Sequence, residues 1–163
     1  EKAFAICDRY HLTYDADHLF GIPGERPEDH VTAAGIYAKL RRLNRIKCHN
    51  MVFYRHAKIF EWAPSEIKND SDYQADFFSA VAGSPDMRAA NACFQKYFKI
   101  LPLFPPAVNA FLRNKRRWKF FRFIPNGLII AGMLVLALKN RDKRFHFYLK
   151  YYPKAILKTL RGV

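Results

Sequence analysis

Cysteine is scarce in this chain and scattered. Cys7, Cys48 and Cys93 stand 41 and 45 residues apart, which suits neither a disulfide framework nor the short paired spacing of a metal site. Separate, reduced thiols are expected. No basic stretch followed by an apolar one opens the chain, so no signal peptide is read. Glu1 in place of an initiator Met reads as a start in mid-protein, and a chain that is cytoplasmic, or peripheral at the membrane, is expected. Long apolar runs are missing too. The longest, residues 128–138, has 11 residues, whereas a spanning helix needs about 20. Acid is nearly absent from one part: residues 91–163 hold 16 basic side chains and a single acid, Asp142, while residues 1–90 hold 12 basic and 13 acidic. The net charge of +14 therefore belongs wholly to the second part. What the chain does have is apolar bulk. Of its 163 residues 50% are hydrophobic and 16% aromatic, enough for a core and unlike a disordered segment.

The first part reads as a βαβ-like unit. Residues 16–22 (ADHLFGI) form the first expected strand, and Pro23-Gly24-Glu25 turns the chain. Pro27 followed by Glu28 and Asp29 marks a helix start, because proline loses no amide partner there and acids face the positive end of the dipole. This helix is expected to run to about Arg42, with Val31, Ala34, Gly35 and Ala38 as a narrow face that packs on a sheet. Residues 45–54 (RIKCHNMVFY) fit a second strand parallel to the first. Beyond them the sequence predicts a short helix over 59–67 interrupted at Pro64, and a polar connection at 69–72. A turn follows at 82–86, whose Ser84 or Asp86 caps a helix over 87–101 with Phe94, Tyr97, Phe98 and Leu101 on one face. Further helices are expected over 107–121, 128–138 and 142–152. The fold class is accordingly α/β, a βαβ unit followed by an all-helical C-terminal extension, divided at residues 1–58 and 59–163.

The most specific stretch is residues 17–25 (DHLFGIPGE), followed by Pro27-Glu28-Asp29 and, about 20 residues on, a strand ending in Phe53-Tyr54. It resembles a late barrel strand of radical SAM enzymes. The segments AGSPD (82–86), FKILPLFPP (98–106), FRFIP (121–125) and NRDKRFHFYLKYY (140–152) look like the C-terminal extension of radical SAM proteins that carry a cobalamin-binding domain. The likeness covers nearly the whole chain but only the family's C-terminal third. It implies the last βαβ unit of a partial (β/α) barrel, with Gly21, Ile22, Pro23, Gly24 and Glu25 beside the adenosyl part of S-adenosylmethionine. It also implies a [4Fe–4S] cluster and cobalamin in the complete protein, and radical or methyl-transfer chemistry. Glycine at a strand end lets backbone approach a ligand and proline stiffens the turn, whereas Glu25 would repel a phosphate. Two departures stand out. The family's Cys-x-x-x-Cys-x-x-Cys loop and the cobalamin Asp-x-His-x-x-Gly motif are absent, and Tyr54-Arg55-His56-Ala57 stands where relatives have Tyr-Pro-Gly-Thr. This chain alone is thus expected to be inactive and to hold none of these cofactors. Its first partner would be the N-terminal part of the same polypeptide.

Other residues carry weaker signals. Asp15 and Asp17 could position a substrate, though acids at a strand entrance are more often solvated. Cys48 and His49 are adjacent on a strand and face opposite ways, as do Asp17 and His18, and His11, His56 and His146 lack suitably spaced partners. The cluster Arg113, Lys115, Arg116, Arg117, Lys119 and Arg122 is interleaved with Trp118, Phe120, Phe121 and Phe123. It reads first as a solvated face over buried aromatics, next as a seat on an anionic membrane surface, and last as a nucleic-acid surface. The alternative to the enzyme fragment is therefore a non-enzymatic basic module that binds membrane or RNA.

Overall fold

The computed structural model describes residues 2–69, 84–142 and 150. The expected helix over 142–152, with Phe145, His146, Tyr148 and Leu149, lies almost wholly outside them, as do most of the polar connection at 69–72 and the first two residues of the 82–86 turn. The described residues are mixed α/β and mostly helical, with one two-stranded parallel sheet among them. Helix α1 (Lys2–Arg9) precedes β1 (Tyr14–Phe20), α2 (Pro27–Tyr37) and β2 (Leu43–Asn50). A 3₁₀ turn (Lys58–Trp62) and a short α3 (Ser65–Asn69) lead away, and α4 (Pro85–Ile100), α5 (Pro106–Arg113), a 3₁₀ segment (Asn114–Phe123) and α6 (Asn126–Lys139) complete the described chain.

Both strands start and end a few residues earlier than the sequence predicts. Gly21, with φ of 83°, leaves the extended region and closes β1 at Phe20, and the register pairs Asp15 with Arg45, Ala16 with Ile46, His18 with Cys48 and Phe20 with Asn50. The pleat then sorts the sheet into two faces. Ala16, His18, Phe20, Ile46 and Cys48 look toward the helices. On the other face Asp15 meets Arg45 at 3.0 Å and Lys47 at 3.4 Å, and Asp17 meets His49 at 2.9 Å. Asp15 is therefore ion-paired rather than solvated, and its carboxyl lies below the usual range because Arg45, Asn44 and Lys47 outweigh the cost of burial. Cys48 and His49 do point opposite ways, Cys48 toward α4 and His49 toward Asp17.

A two-stranded sheet cannot stand alone in water, and α4 supplies its cover. Pro85 opens α4 and the Ser84 hydroxyl accepts from the Met87 amide at 3.2 Å, so the cap is the serine. Its buried face runs through Asn91, Phe94, Tyr97 and Phe98 and packs on β2, α2, α6 and the 3₁₀ segment. Phe98 is the hub, with ring centroids 4.6 Å from His18, 5.5 Å from Tyr37, 5.7 Å from Phe94 and 5.8 Å from Phe20. The βαβ residues Ala16, Phe20, Ala34, Leu43 and Ile46 share one core with Trp118, Phe121 and Ile129. Because Phe94 and Phe98 fill the space over the sheet, α2 turns its small-residue face chiefly to α4 and α5. Gly35 makes room there for the Arg113 guanidinium, which a Cβ would meet at 2.5 Å.

The expected helix over 107–121 is broken. α5 stops at Arg113, Asn114 is extended, and Lys115 and Arg116 take left-handed φ of 50° and 57° before the chain resumes as 3₁₀. A continuous α-helix would stack Arg113, Arg116 and Arg117 at three- and four-residue spacing, where like charges repel. The kink separates them and swings Trp118 and Phe121 into the core, where they are 3% and 1% exposed.

Candidate functional site

The turn after β1 is built by local chemistry. Pro23 and Gly24 occupy its two central positions, Gly24 has φ of 81°, and the Glu25 amide donates to the Ile22 carbonyl at 3.0 Å. Proline then glycine with positive φ is the signature of a type II turn. The Met51 amide donates to the Phe20 carbonyl at 2.6 Å, which carries the ladder just past the strand end. Residues 21–27 border a cavity of about 330 Å³ whose other walls come from Trp62, Pro64, Ser84 and Met87. All five residues singled out by the sequence, Gly21, Ile22, Pro23, Gly24 and Glu25, thus line one cavity at the C-terminal end of a parallel strand.

The Glu25 carboxylate does more than face that cavity. Its Oε2 accepts from the Gly21 amide at 2.7 Å and from Asn91 Nδ2 at 3.4 Å, and it lies 3.5 Å from His30 Nε2. The acid folds back to staple the two ends of its own turn. Burial alone would raise its pKa, but His30, the Gly21 amide and Asn91 together hold it below the usual carboxylate range.

Behind Glu25 a polar chain runs through the core. His30 Nε2 faces Asn91 Oδ1 at 3.0 Å, His30 Nδ1 faces His18 Nε2 at 3.1 Å, and His18 Nδ1 faces the Tyr37 hydroxyl at 3.0 Å. His30 and Asn91 are 1% and 0% exposed. Glu25 and Asn91 Oδ1 only accept, so His30 donates from Nε2. His18 then bridges His30 and the Tyr37 hydroxyl through its two ring nitrogens. Each of these buried groups meets a polar partner, as buried polar atoms require.

Burial, and then the neighbouring His30, push the His18 pKa down to about 4, with Glu25 opposing them. An unfolded histidine titrates near 6.5. As pH falls from about 6.5 the unfolded chain takes a proton that folded His18 refuses, so stability declines until the pH reaches about 4. Glu25, whose folded pKa is depressed, adds a further loss at still lower pH. The expected result is an unfolding free energy in urea that falls steadily across that window, by up to about 3 kcal/mol for His18, with a flatter profile for His18→Gln. A stability independent of pH there would contradict the burial of an uncharged His18.

Sequence reasoning passed over His30, Asn91 and Tyr37. The signal was present: His30, Ala34 and Ala38 recur at four-residue spacing along α2, and Asn91, Phe94 and Phe98 at three and four along α4. A polar residue inside an apolar stripe is the mark of an internal hydrogen-bonded network.

The thiols do not make a metal centre. Cys48 is nearly buried and its pKa is pushed up to about 12 by desolvation, and burial likewise raises that of Cys93. Neither is a thiolate at neutral pH, the form that ligates iron. Among the described residues no group of three or more His, Cys, Asp or Glu side chains could hold a metal ion. Comparison with protein-family models, with curated proteins and with solved structures finds no match to this chain.

Proposed function

We infer that this chain is the C-terminal portion of a cobalamin-type radical SAM enzyme, in which residues 21–24 form one wall of the pocket for the adenosyl group. The observation that carries the reading is the placement of the Gly-Ile-Pro-Gly turn. It stands at the C-terminal end of a parallel strand and borders a cavity, which is where parallel α/β proteins seat their ligands. In that role Gly21 and Gly24 let backbone approach the nucleoside, Pro23 keeps the turn rigid, and Trp62 offers a ring face for the adenine. Glu25 acts behind the wall: its carboxylate is committed to the Gly21 amide, Asn91 and His30, so it positions the turn.

The residues present do not fit an iron–sulfur cluster, because three separate thiols, two with raised pKa, cannot replace a cysteine triplet on one loop. The cobalamin motif is likewise absent from the sequence. Under this reading both cofactors belong to an N-terminal part of the same polypeptide, and the two-stranded sheet is the end of a partial barrel. The test is to read the coding sequence upstream of Glu1. An in-frame extension containing Cys-x-x-x-Cys-x-x-Cys is expected. A start codon immediately before Glu1, or an extension without the triplet, would overturn the assignment.

A further inference from the structure

The 3₁₀ segment that follows α5 has a geometry that no enzymatic role explains. A 3₁₀ helix repeats every three residues, so side chains at i and i+3 eclipse and the surface divides into three stripes. Residues 118 and 121 form one, the buried Trp118 and Phe121. Residues 119 and 122 form the second, Lys119 and Arg122, both exposed. Residues 117, 120 and 123 form the third, where Phe120 is 62% and Phe123 75% exposed. Arg117 extends that stripe, since its guanidinium lies 4.0 Å over the ring of Phe111, itself exposed on α5. Three outward phenylalanines are thus joined into a patch edged by cations.

A large groove of about 600 Å³ opens beside the patch, with Lys119, Arg122, Trp118 and Phe123 among its walls. Glu28 and Asp86 stand on its rim, and Glu28 is occupied by Arg116 at 3.4 Å. On α6, which follows the segment directly, Leu128, Val135 and Leu138 are exposed as well. No single helix among the described residues is long and apolar enough to cross a membrane. Pro106–Phe123 and Asn126–Lys139 reach that length and composition only together, and they meet at a bend of 112°.

We propose that the α5–3₁₀–α6 corner is a docking surface for an anionic lipid bilayer, with Phe111, Phe120 and Phe123 inserted among the headgroups and Lys119 and Arg122 on lipid phosphates. Charge complementarity selects this occupant. Residues 91–141 contain ten Lys and Arg and no Asp or Glu, and a basic surface gains energy from each cation near anionic headgroups. Exposed phenylalanines add apolar burial. A purely solvated basic face would not set two phenylalanines in register on its outer stripe. RNA would also meet the charge, but the bend and the exposed apolar side chains of α6 offer a nucleic acid nothing.

The test uses the whole 163-residue chain in co-sedimentation with vesicles of phosphatidylcholine alone and of phosphatidylcholine mixed with phosphatidylserine, at low and high salt. Binding is expected only to the mixed vesicles and should weaken with salt. Phe120→Ser/Phe123→Ser should weaken it by about tenfold or more, and Lys119→Gln/Arg122→Gln by about tenfold or more as well. All four side chains are exposed, so circular dichroism of these variants should match the parent. In Phe123→Trp the indole emission should shift to the blue on mixed vesicles and stay unchanged on neutral ones. Equal binding to both vesicle types, or no loss in the phenylalanine variant, would overturn the proposal. So would tight binding of single-stranded RNA with no retention on either vesicle.

Discussion

His30→Leu is expected to lower the free energy of unfolding by about 3–5 kcal/mol, among the largest losses of any single polar substitution in the chain. Leucine has comparable bulk, so the loss is one of hydrogen bonds rather than of volume. His30 meets Asn91, Glu25 and His18 from a site that is 1% exposed. Without it Asn91 Oδ1 and His18 Nε2 are buried and unpaired, at about 1–3 kcal/mol each, and Glu25 loses one of its three partners. Urea denaturation measures the total. A second readout separates the network from general damage: exchange of the Gly21 amide, which Glu25 holds at 2.7 Å, should accelerate more than exchange in the middle of α4. His30→Gln, which keeps a donor and an acceptor, should recover part of both. A variant as stable as the parent would mean that the chain of polar contacts does not hold the turn.

Phe98→Ala is expected to cost about 3–5 kcal/mol by leaving a cavity where four rings and the sheet meet. Phe98 is 0% exposed and touches His18, Phe20, Tyr37 and Phe94, so it joins β1, α2 and α4 at one point. A domain of this size has a margin of only about 5–15 kcal/mol in total. Thermal melting should therefore show a large downward shift, and the aromatic near-ultraviolet circular dichroism should weaken with it. Phe123→Ala, a deletion of the same size at a 75% exposed position, is the control and should stay within about 0.5 kcal/mol of the parent.

These two residues also show how far the sequence alone could be read. Phe98 was legible because Phe94, Tyr97, Phe98 and Leu101 repeat at helical spacing, and the parallel strand pair was legible from two β-rich stretches around a helix that opens with Pro-Glu-Asp. The strand ends were displaced because Gly21 and the type II turn, rather than the apolar pattern, decide where β1 stops. The 3₁₀ break was not legible. It sets the cost of two left-handed residues, Lys115 and Arg116, against separation of the arginine charges and burial of Trp118 and Phe121, a balance that only the packed core settles. Of the site, the lining residues 21–25 could be named in advance, whereas of the support behind them only the polar residues inside apolar stripes were legible, not their pairing. That support joins His18, His30 and Asn91 across 12 and 61 residues of sequence, and no local period links a strand, a helix start and a distant helix.

The proposed adenosyl wall at residues 21–24 is tested most directly by titrating S-adenosylhomocysteine into the isotopically labelled chain and following its amides by NMR. One wall of a pocket binds weakly, so shifts in fast exchange are expected, confined to Gly21, Ile22 and Gly24 and to the indole of Trp62. Shifts centred elsewhere, or none at the highest soluble ligand concentration, would contradict the claim.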